Sequence, residues 1–121
     1  MELMIVAAIV GILSAVALPQ YLRARAVAEA SSSILEAVAF AEQCAVAHKS
    51  GLHVVVDPPG GPARNCDGTA RRNIESRRWS GDATGVLCLG VPASSNHNHV
   101  VLSVSGNLSP IIGTVTCEFK P

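Results

Sequence analysis

The sequence predicts an α+β protein in which one long, kinked amino-terminal helix packs its second half on a small antiparallel β-sheet. Three observations predict it. From Leu3 to Leu18, sixteen residues pass without a charge, and only Gly11 and Ser14 among them are not plainly apolar. After Pro19, apolar residues recur at Leu22, Ala26, Ala30, Ile34, Val38, Ala41 and Ala45, the three- and four-residue steps of one helical stripe. Beyond Gly51, short runs rich in Val, Leu and Ile alternate with clusters of Gly, Pro, Ser and Asn, the punctuation of an antiparallel meander.

The first run is too uniformly apolar for an ordinary surface helix. A helix that is apolar all round must be buried in a large protein or in lipid, and in a chain of 121 residues the remainder is too small to enclose it. It is slightly short of the roughly 20 apolar residues of a membrane span, so the expectation is that something is either missing upstream or supplied by partners. A secretory signal peptide fits poorly. Ala15-Val16-Ala17 could pass for a cleavage site, but the start carries Glu2 and no Lys or Arg. A buried core helix would leave Glu2 unexplained, because a carboxylate beside such a run is costly unless paired or held at an interface.

Glu2, Gly11, Pro19 and Tyr21, set in the run Glu2-Leu-Met-Ile-Val-Ala-Ala-Ile-Val-Gly11-Ile-Leu-Ser-Ala-Val-Ala-Leu-Pro19-Gln-Tyr21, give the segment from Glu2 to about Arg25 a close likeness to a known one. It resembles the amino-terminal helix of type IV pilins and their pseudopilin relatives. The resemblance implies the type IV pilin fold and a structural subunit that polymerises with its own kind into an extracellular helical filament, serving motility, adhesion or DNA uptake. It implies an inner-membrane stage before assembly, an assembly machinery as partner, and Glu2 as charge partner of a neighbouring subunit's amino terminus. Gly11, Ser14 and Pro19 would then mark a stretch that loses helical bonds in the filament. Family members carry a short basic leader cleaved after a glycine and a methylated first residue a few positions before the glutamate. Only Met1 precedes Glu2 here, so the expectation is a chain that starts late relative to the family. The alternatives are a pseudopilin of a type II secretion or competence system, and a membrane-anchored binding protein that does not polymerise. Major pseudopilins tend to have a calcium-binding loop near the carboxy terminus, whereas Glu118 is the lone acid after Asp82.

Residues 1–25 are thus expected to form an apolar stalk and residues 26–121 a head. The head would comprise the amphipathic half of the helix, a loop over 57–84 and an antiparallel sheet over 85–119. Gly51 is placed as a helix stop. Leu52–Val56 could add a short strand, and Gly85–Gly90, His99–Ser105 and Ile111–Phe119 are the main strand candidates. Within the loop, Ile74 and Trp79 are expected to act as anchors onto the helix.

Formal net charge is zero, so no global field recruits nucleic acid. The charges are nonetheless sorted. Glu29, Glu36, Glu42, Lys49 and Asp57 sum to −3, whereas Arg64, Asp67, Arg71, Arg72, Glu75, Arg77 and Arg78 sum to +3. An acidic helix and a basic loop suit contact between subunits. Arg71, Arg72, Arg77 and Arg78 with Trp79 are therefore candidates for a subunit contact, or for DNA through phosphates and a stacked base.

Cys44, Cys66, Cys88 and Cys117 form no close metal-binding pair, and two disulfides are the economical reading in an exported head. Three pairings are open; Cys44–Cys66 and Cys88–Cys117 are favoured, the first tying the helix end to the following loop, the second tying two strands. No cofactor, metal or catalytic residue is expected. His48, His53, His97 and His99 fall in no metal-ligand helix spacing, although His97 and His99 could share a strand face and hold zinc or copper weakly. There is no phosphate loop or nucleophile elbow, so the chain reads as non-enzymatic. An aromatic content of 3% supplies no stack of rings for electron conduction. Asn107-Leu108-Ser109 matches the glycosylation pattern, weakened by Pro110.

Overall fold

A computed structural model describes residues 1–106 and 110–121; the Asn107-Leu108-Ser109 pattern lies outside them. One helix and seven short strands make an α+β fold. Helix α1 runs Glu2–Ser50, 49 residues, and ends on Gly51 at φ 75°, ψ 8°. A glycine accepts that left-handed conformation without the Cβ clash other residues meet, which is why the helix stops there. The axis bends by 40° where Glu2–Val16 gives way to Leu18–Ser50. Pro19 lacks the N–H that would bond one turn back, and Ser14 Oγ donates to the Val10 carbonyl at 2.8 Å, a side-chain bond that favours bending. Both perturbations fall in one two-turn stretch.

The two halves of α1 differ in what covers them. From Glu2 to Arg25 the described side chains are exposed; burial begins at Ala26 and continues through Ala30, Ile34, Ala37, Ala41, Cys44 and His48. Leu22, expected on the buried stripe, is exposed and belongs to the arm. The stripe is mostly alanine, and small side chains let the sheet lie close to the helix.

The sheet that meets it has the order β3–β6–β7, all antiparallel, with β3 at Arg72–Glu75, β6 at His99–Val104 and β7 at Val115–Lys120. Ile74 opposes Leu102, which opposes Cys117, and Val100 opposes Phe119. Since side chains alternate between faces, this register puts Ile74, Val100, Leu102, Val104 and Phe119 on the helix side, where all are buried. Two smaller ribbons flank it: β1 (Val54–Val56) with β2 (Arg64–Cys66), and β4 (Leu87–Cys88) with β5 (Val91–Pro92).

Several expectations are corrected here. The 57–84 segment is not a plain loop, since it contributes β2 and β3, and the main sheet begins inside it rather than at 85. The 85–90 candidate is not a strand of that sheet. It turns back on itself through Leu89 (φ 50°) and Gly90 (φ 86°) to pair Cys88 with Val91, the doubly left-handed turn that tight hairpins prefer. The last strand starts at Val115, because Ile111–Gly113 is spent on the turn that donates Gly113 N–H to the Ser105 carbonyl at 2.9 Å.

Leu89 is poorly suited to its position. Outside glycine, Asn and Asp enter the left-handed region most readily, and the side chain of Leu89 is half exposed and gives up little packing. Leu89→Asn is expected to raise stability by about 0.5–1 kcal/mol, seen as a rise of a few degrees in the thermal midpoint; an unchanged or lower midpoint would refute the assignment of strain to this turn.

Candidate functional site: an exposed apolar arm on a disulfide-braced head

The arm is the chain's most unusual surface. Between Leu3 and Leu22 a dozen large apolar side chains, including Ile5, Ile9, Ile12, Leu13 and Leu18, are each more than half exposed. Isolated exposed apolar residues are ordinary, but a contiguous set of this size marks a surface that is covered in the working state. Neither straight segment of the described helix is alone long and apolar enough to cross a membrane; the bent pair Glu2–Val16 and Leu18–Ser50 together meets the length and composition. Glu2 sits exposed in the first helical turn, where a carboxylate also complements the helix dipole. Gly11, Ser14 and Pro19 all lie within the continuous helix of the isolated chain. Where the arm meets the head, Arg23 Nη2 donates to the Thr84 carbonyl at 3.4 Å.

Two disulfides brace the head, Cys44–Cys66 and Cys88–Cys117. The first joins α1 to β2, and its partners are wholly buried. The second fastens the β4–β5 hairpin to β7, the free edge of the main sheet.

The basic segment is largely engaged inside its own chain. Arg77 pairs with Glu36 of α1 at 3.0 Å, so the acidic helix and the basic segment meet here within one molecule. Arg72 donates from Nε to the Asn65 carbonyl at 2.6 Å and lies 3.9 Å from Asp67. Arg71 donates to Ser103 Oγ at 2.8 Å, and that hydroxyl donates to Asn73 Oδ1 at 2.9 Å. Trp79 lies inward. Only 4% exposed, it packs edge-on against Phe119 at 6.1 Å, and little of its ring is open to a base or another subunit. It anchors its segment to β7 as well as to the helix-side core. Arg71, Arg77 and Arg78 remain at the surface.

The two histidines suggested for weak metal binding are not a pair on one strand face. His97 precedes β6, stacks on Phe119 at 5.4 Å and accepts the Ser94 N–H at 3.0 Å. His99 begins β6, largely buried, with its Nδ1 2.6 Å from Asn98 Oδ1. Burial holds the His99 pKa below the usual imidazole value; Arg78 lowers it further, Glu75 opposes, and Lys120 adds to the fall. In the unfolded chain the ring protonates near its ordinary 6.5, in the folded chain only at lower pH. Between those values the unfolded state binds the extra proton, so stability drops as pH falls below about 6.5 and levels off once the folded ring is charged too. The thermal midpoint measured from pH 8 to pH 5 is expected to decline over this window, and His99→Gln to flatten the decline. An equal slope in the variant would remove His99 as its cause. Asp67 and Asp82 act lower down. Hydrogen bonds from Thr69 and Thr84 respectively hold their pKa values below the ordinary 3.8, so their contribution is present above that pH and lost beneath it.

A residue that the sequence reading passed over stands at the centre of the head. His48 lies four residues after Cys44, one turn along the same helix face, so the expectation that no histidine falls in a metal-ligand helix spacing is corrected for this pair. Among the described residues, Cys44, His48 and Cys66 bring one ligand atom each within 4.8 Å of the others. His48 is buried; its Nδ1 lies 2.9 Å from the Ser105 carbonyl and its Nε2 3.5 Å from Cys44 Sγ. A carbonyl only accepts, so Nδ1 donates to it, and Nε2 is the ring nitrogen turned to the sulfur. With both sulfurs in the disulfide, the cluster offers no thiolate.

No protein-family model, curated protein or solved structure matches this chain.

Proposed function

We propose that this protein is a non-enzymatic structural subunit, a type IV pilin that polymerises into an extracellular helical filament through its arm. The observation that carries the reading is the arm itself: an uncharged helix from Leu3 to Leu18, apolar all round and exposed all along its described length, ahead of a head small enough to tile a fibre. Of the residues that resemble the pilin helix, Gly11 lies within that segment and Glu2, Pro19 and Tyr21 flank it.

Before assembly, the arm rests in the inner membrane with the head outside the cytoplasm. On assembly, arms bundle at the fibre's centre and exchange lipid for one another, while heads form the outer surface. Burying a Leu, Ile or Val side chain contributes about 1.5–3 kcal/mol, so the ten such residues between Leu3 and Leu22 of each subunit are enough to make a fibre persistent after the cost of ordering is met. Glu2 enters that dry centre and requires a cation, for which the amino terminus of a neighbouring subunit is the partner the resemblance supplies. Gly11 and Pro19 bracket weak helix, at about 1 and 3 kcal/mol below alanine, so the backbone between them gives up helical bonds when packed.

The test is electron microscopy of material sheared from the cell surface, with mass spectrometry of its subunit under non-reducing conditions. Thin fibres composed mainly of this chain, its mass showing two intact disulfides, are the expected result. Chain confined to membranes and monomeric in mild detergent would overturn the proposal in favour of an anchored binding protein. Short assemblies seen only when a secretion system is overproduced would make it a pseudopilin.

A further inference from the structure

The proposed assembly makes no use of the cluster in the head's core. Cys44 and His48 stand one helical turn apart on α1, and the β1–β2 ribbon brings Cys66 against both, so that all three ligand atoms lie within 4.8 Å of one another. We propose that reducing the Cys44–Cys66 disulfide uncovers a zinc(II) site formed by the Sγ atoms of Cys44 and Cys66 and the Nε2 atom of His48.

The geometry carries the assignment. A zinc ion bonded at about 2.0–2.3 Å to nitrogen and sulfur holds its ligand atoms roughly 3.5 Å apart; the Cα atoms of Cys44 and Cys66 are 5.2 Å apart, and once the S–S bond is broken, side-chain rotation lets the sulfurs part toward that spacing. The imidazole is already set as a ligand. Its Nδ1–H is donated to the Ser105 carbonyl, the outer hydrogen bond that fixes the tautomer and orientation of metal-binding histidines, and its Nε2 faces Cys44 Sγ. Burial sets the choice of metal. Cys44, Cys66 and His48 are at most 3% exposed, and a charge in such surroundings is costly. Two thiolates and a neutral imidazole around zinc(II) sum to zero, whereas the same ligands around copper(I), the other soft cation they suit, leave a net negative charge. Three protein ligands leave zinc one further position.

Two electrons from a dithiol reductant break the Cys44–Cys66 bond; the reductant's two sulfurs become a disulfide and each cysteine takes up one of its protons. Zinc then displaces both protons to solvent as it binds the thiolates. The ion takes over the bond between α1 and β2, so the head keeps one crosslink there in either redox state.

The experiment uses the full chain in mild detergent, reduced with a water-soluble phosphine that is itself oxidised to its oxide, then freed of reductant without oxygen. Zinc uptake is measured against a chromophoric chelator, and cobalt(II) serves as the spectroscopic probe. One equivalent of zinc per reduced chain, none in the oxidised chain, and cobalt bands of tetrahedral thiolate coordination are expected. Cys88→Ser should keep the site, Cys44→Ser should lose it, and His48→Gln should bind at least tenfold more weakly. No uptake by the reduced chain, equal uptake by Cys44→Ser, or unchanged affinity in His48→Gln would overturn the proposal. So would copper(I) binding with no zinc binding. If reduction unfolds the head, zinc should restore its near-ultraviolet circular dichroism, because the metal then drives folding; failure to do so would also overturn it.

Discussion

Glu2→Ala is expected to abolish filaments while leaving the chain in the membrane fraction. In the proposed fibre, each Glu2 carboxylate meets the amino terminus of a neighbouring subunit inside a core lined by Leu3, Met4, Ile5 and Val6. Removing one member of a buried pair leaves the other charge uncompensated, at roughly 3–5 kcal/mol. A helical polymer repeats that loss at every subunit contact, so it acts along the whole fibre. Membrane residence runs the other way, because an alanine in place of a carboxylate makes the apolar segment easier to insert. The two readouts therefore separate. Surface-shear yield should fall below detection, whereas the membrane-bound amount should stay equal or rise. Normal yield of well-ordered filaments would show that Glu2 sets no register. A companion substitution, Ile9→Asp, places a charge in the middle of the run at about 2.5–3.5 kcal/mol on insertion scales, and should reduce both membrane residence and filaments.

The second large effect is on the head. Cys44→Ala with Cys66→Ala should lower its stability by roughly 3–4 kcal/mol in the chain-entropy account, a fall of about 15–25 °C in thermal midpoint for a domain of this size. Calorimetry of the detergent-solubilised chain measures it. Loop length does not distinguish the two bonds. They close separations of 22 and 29 residues, and a logarithmic dependence makes those nearly equal, within about 0.3 kcal/mol. Position separates them. Cys44–Cys66 links the helix to β2 with both partners wholly buried, so its loss also leaves a gap among close-packed alanines. Cys88–Cys117 holds a two-residue ribbon at the rim, and Cys117 is only partly buried. Removing the second pair should therefore loosen the 87–92 hairpin and cost less of the core. Equal losses, with equal loss of protection from hydrogen exchange in β6, would contradict this ranking.

What could be read from the sequence alone divides along the range of the forces involved. The helix was legible because its signals are local: a three- and four-residue apolar period from Ala26 to Ala45, Pro19 as a kink, and Gly51 as a stop. The apolar arm was legible because hydropathy belongs to the residues themselves. The stretch from Glu2 to Tyr21 also carried the resemblance on which the proposed function rests. β6 was legible as a run of Val and Leu. β3 was not, because Arg72-Asn73-Ile74-Glu75 has a single strong strand former, and it becomes a strand only where the edge of β6 offers it partners 26–32 residues away in the chain, from Arg72↔Val104 to Glu75↔Val101. The hairpin at Leu89 was hidden because the turn uses a leucine where asparagine or glycine is the usual sign. Trp79 could be read as a loop anchor or as a ring offered beside arginines, and Phe119, forty positions on, is what packs against it. His48 shows the same division within one site. Its distance from Cys44 follows from helix geometry, but the β1–β2 ribbon brings Cys66 to both, and the Ser105 carbonyl, 57 residues from His48, decides which nitrogen faces the sulfur. Secondary structure and apolar character are written in neighbouring residues; strand partners, disulfide pairs and the surroundings of a buried ring are set by which distant segments exclude water together, and only the folded chain decides that.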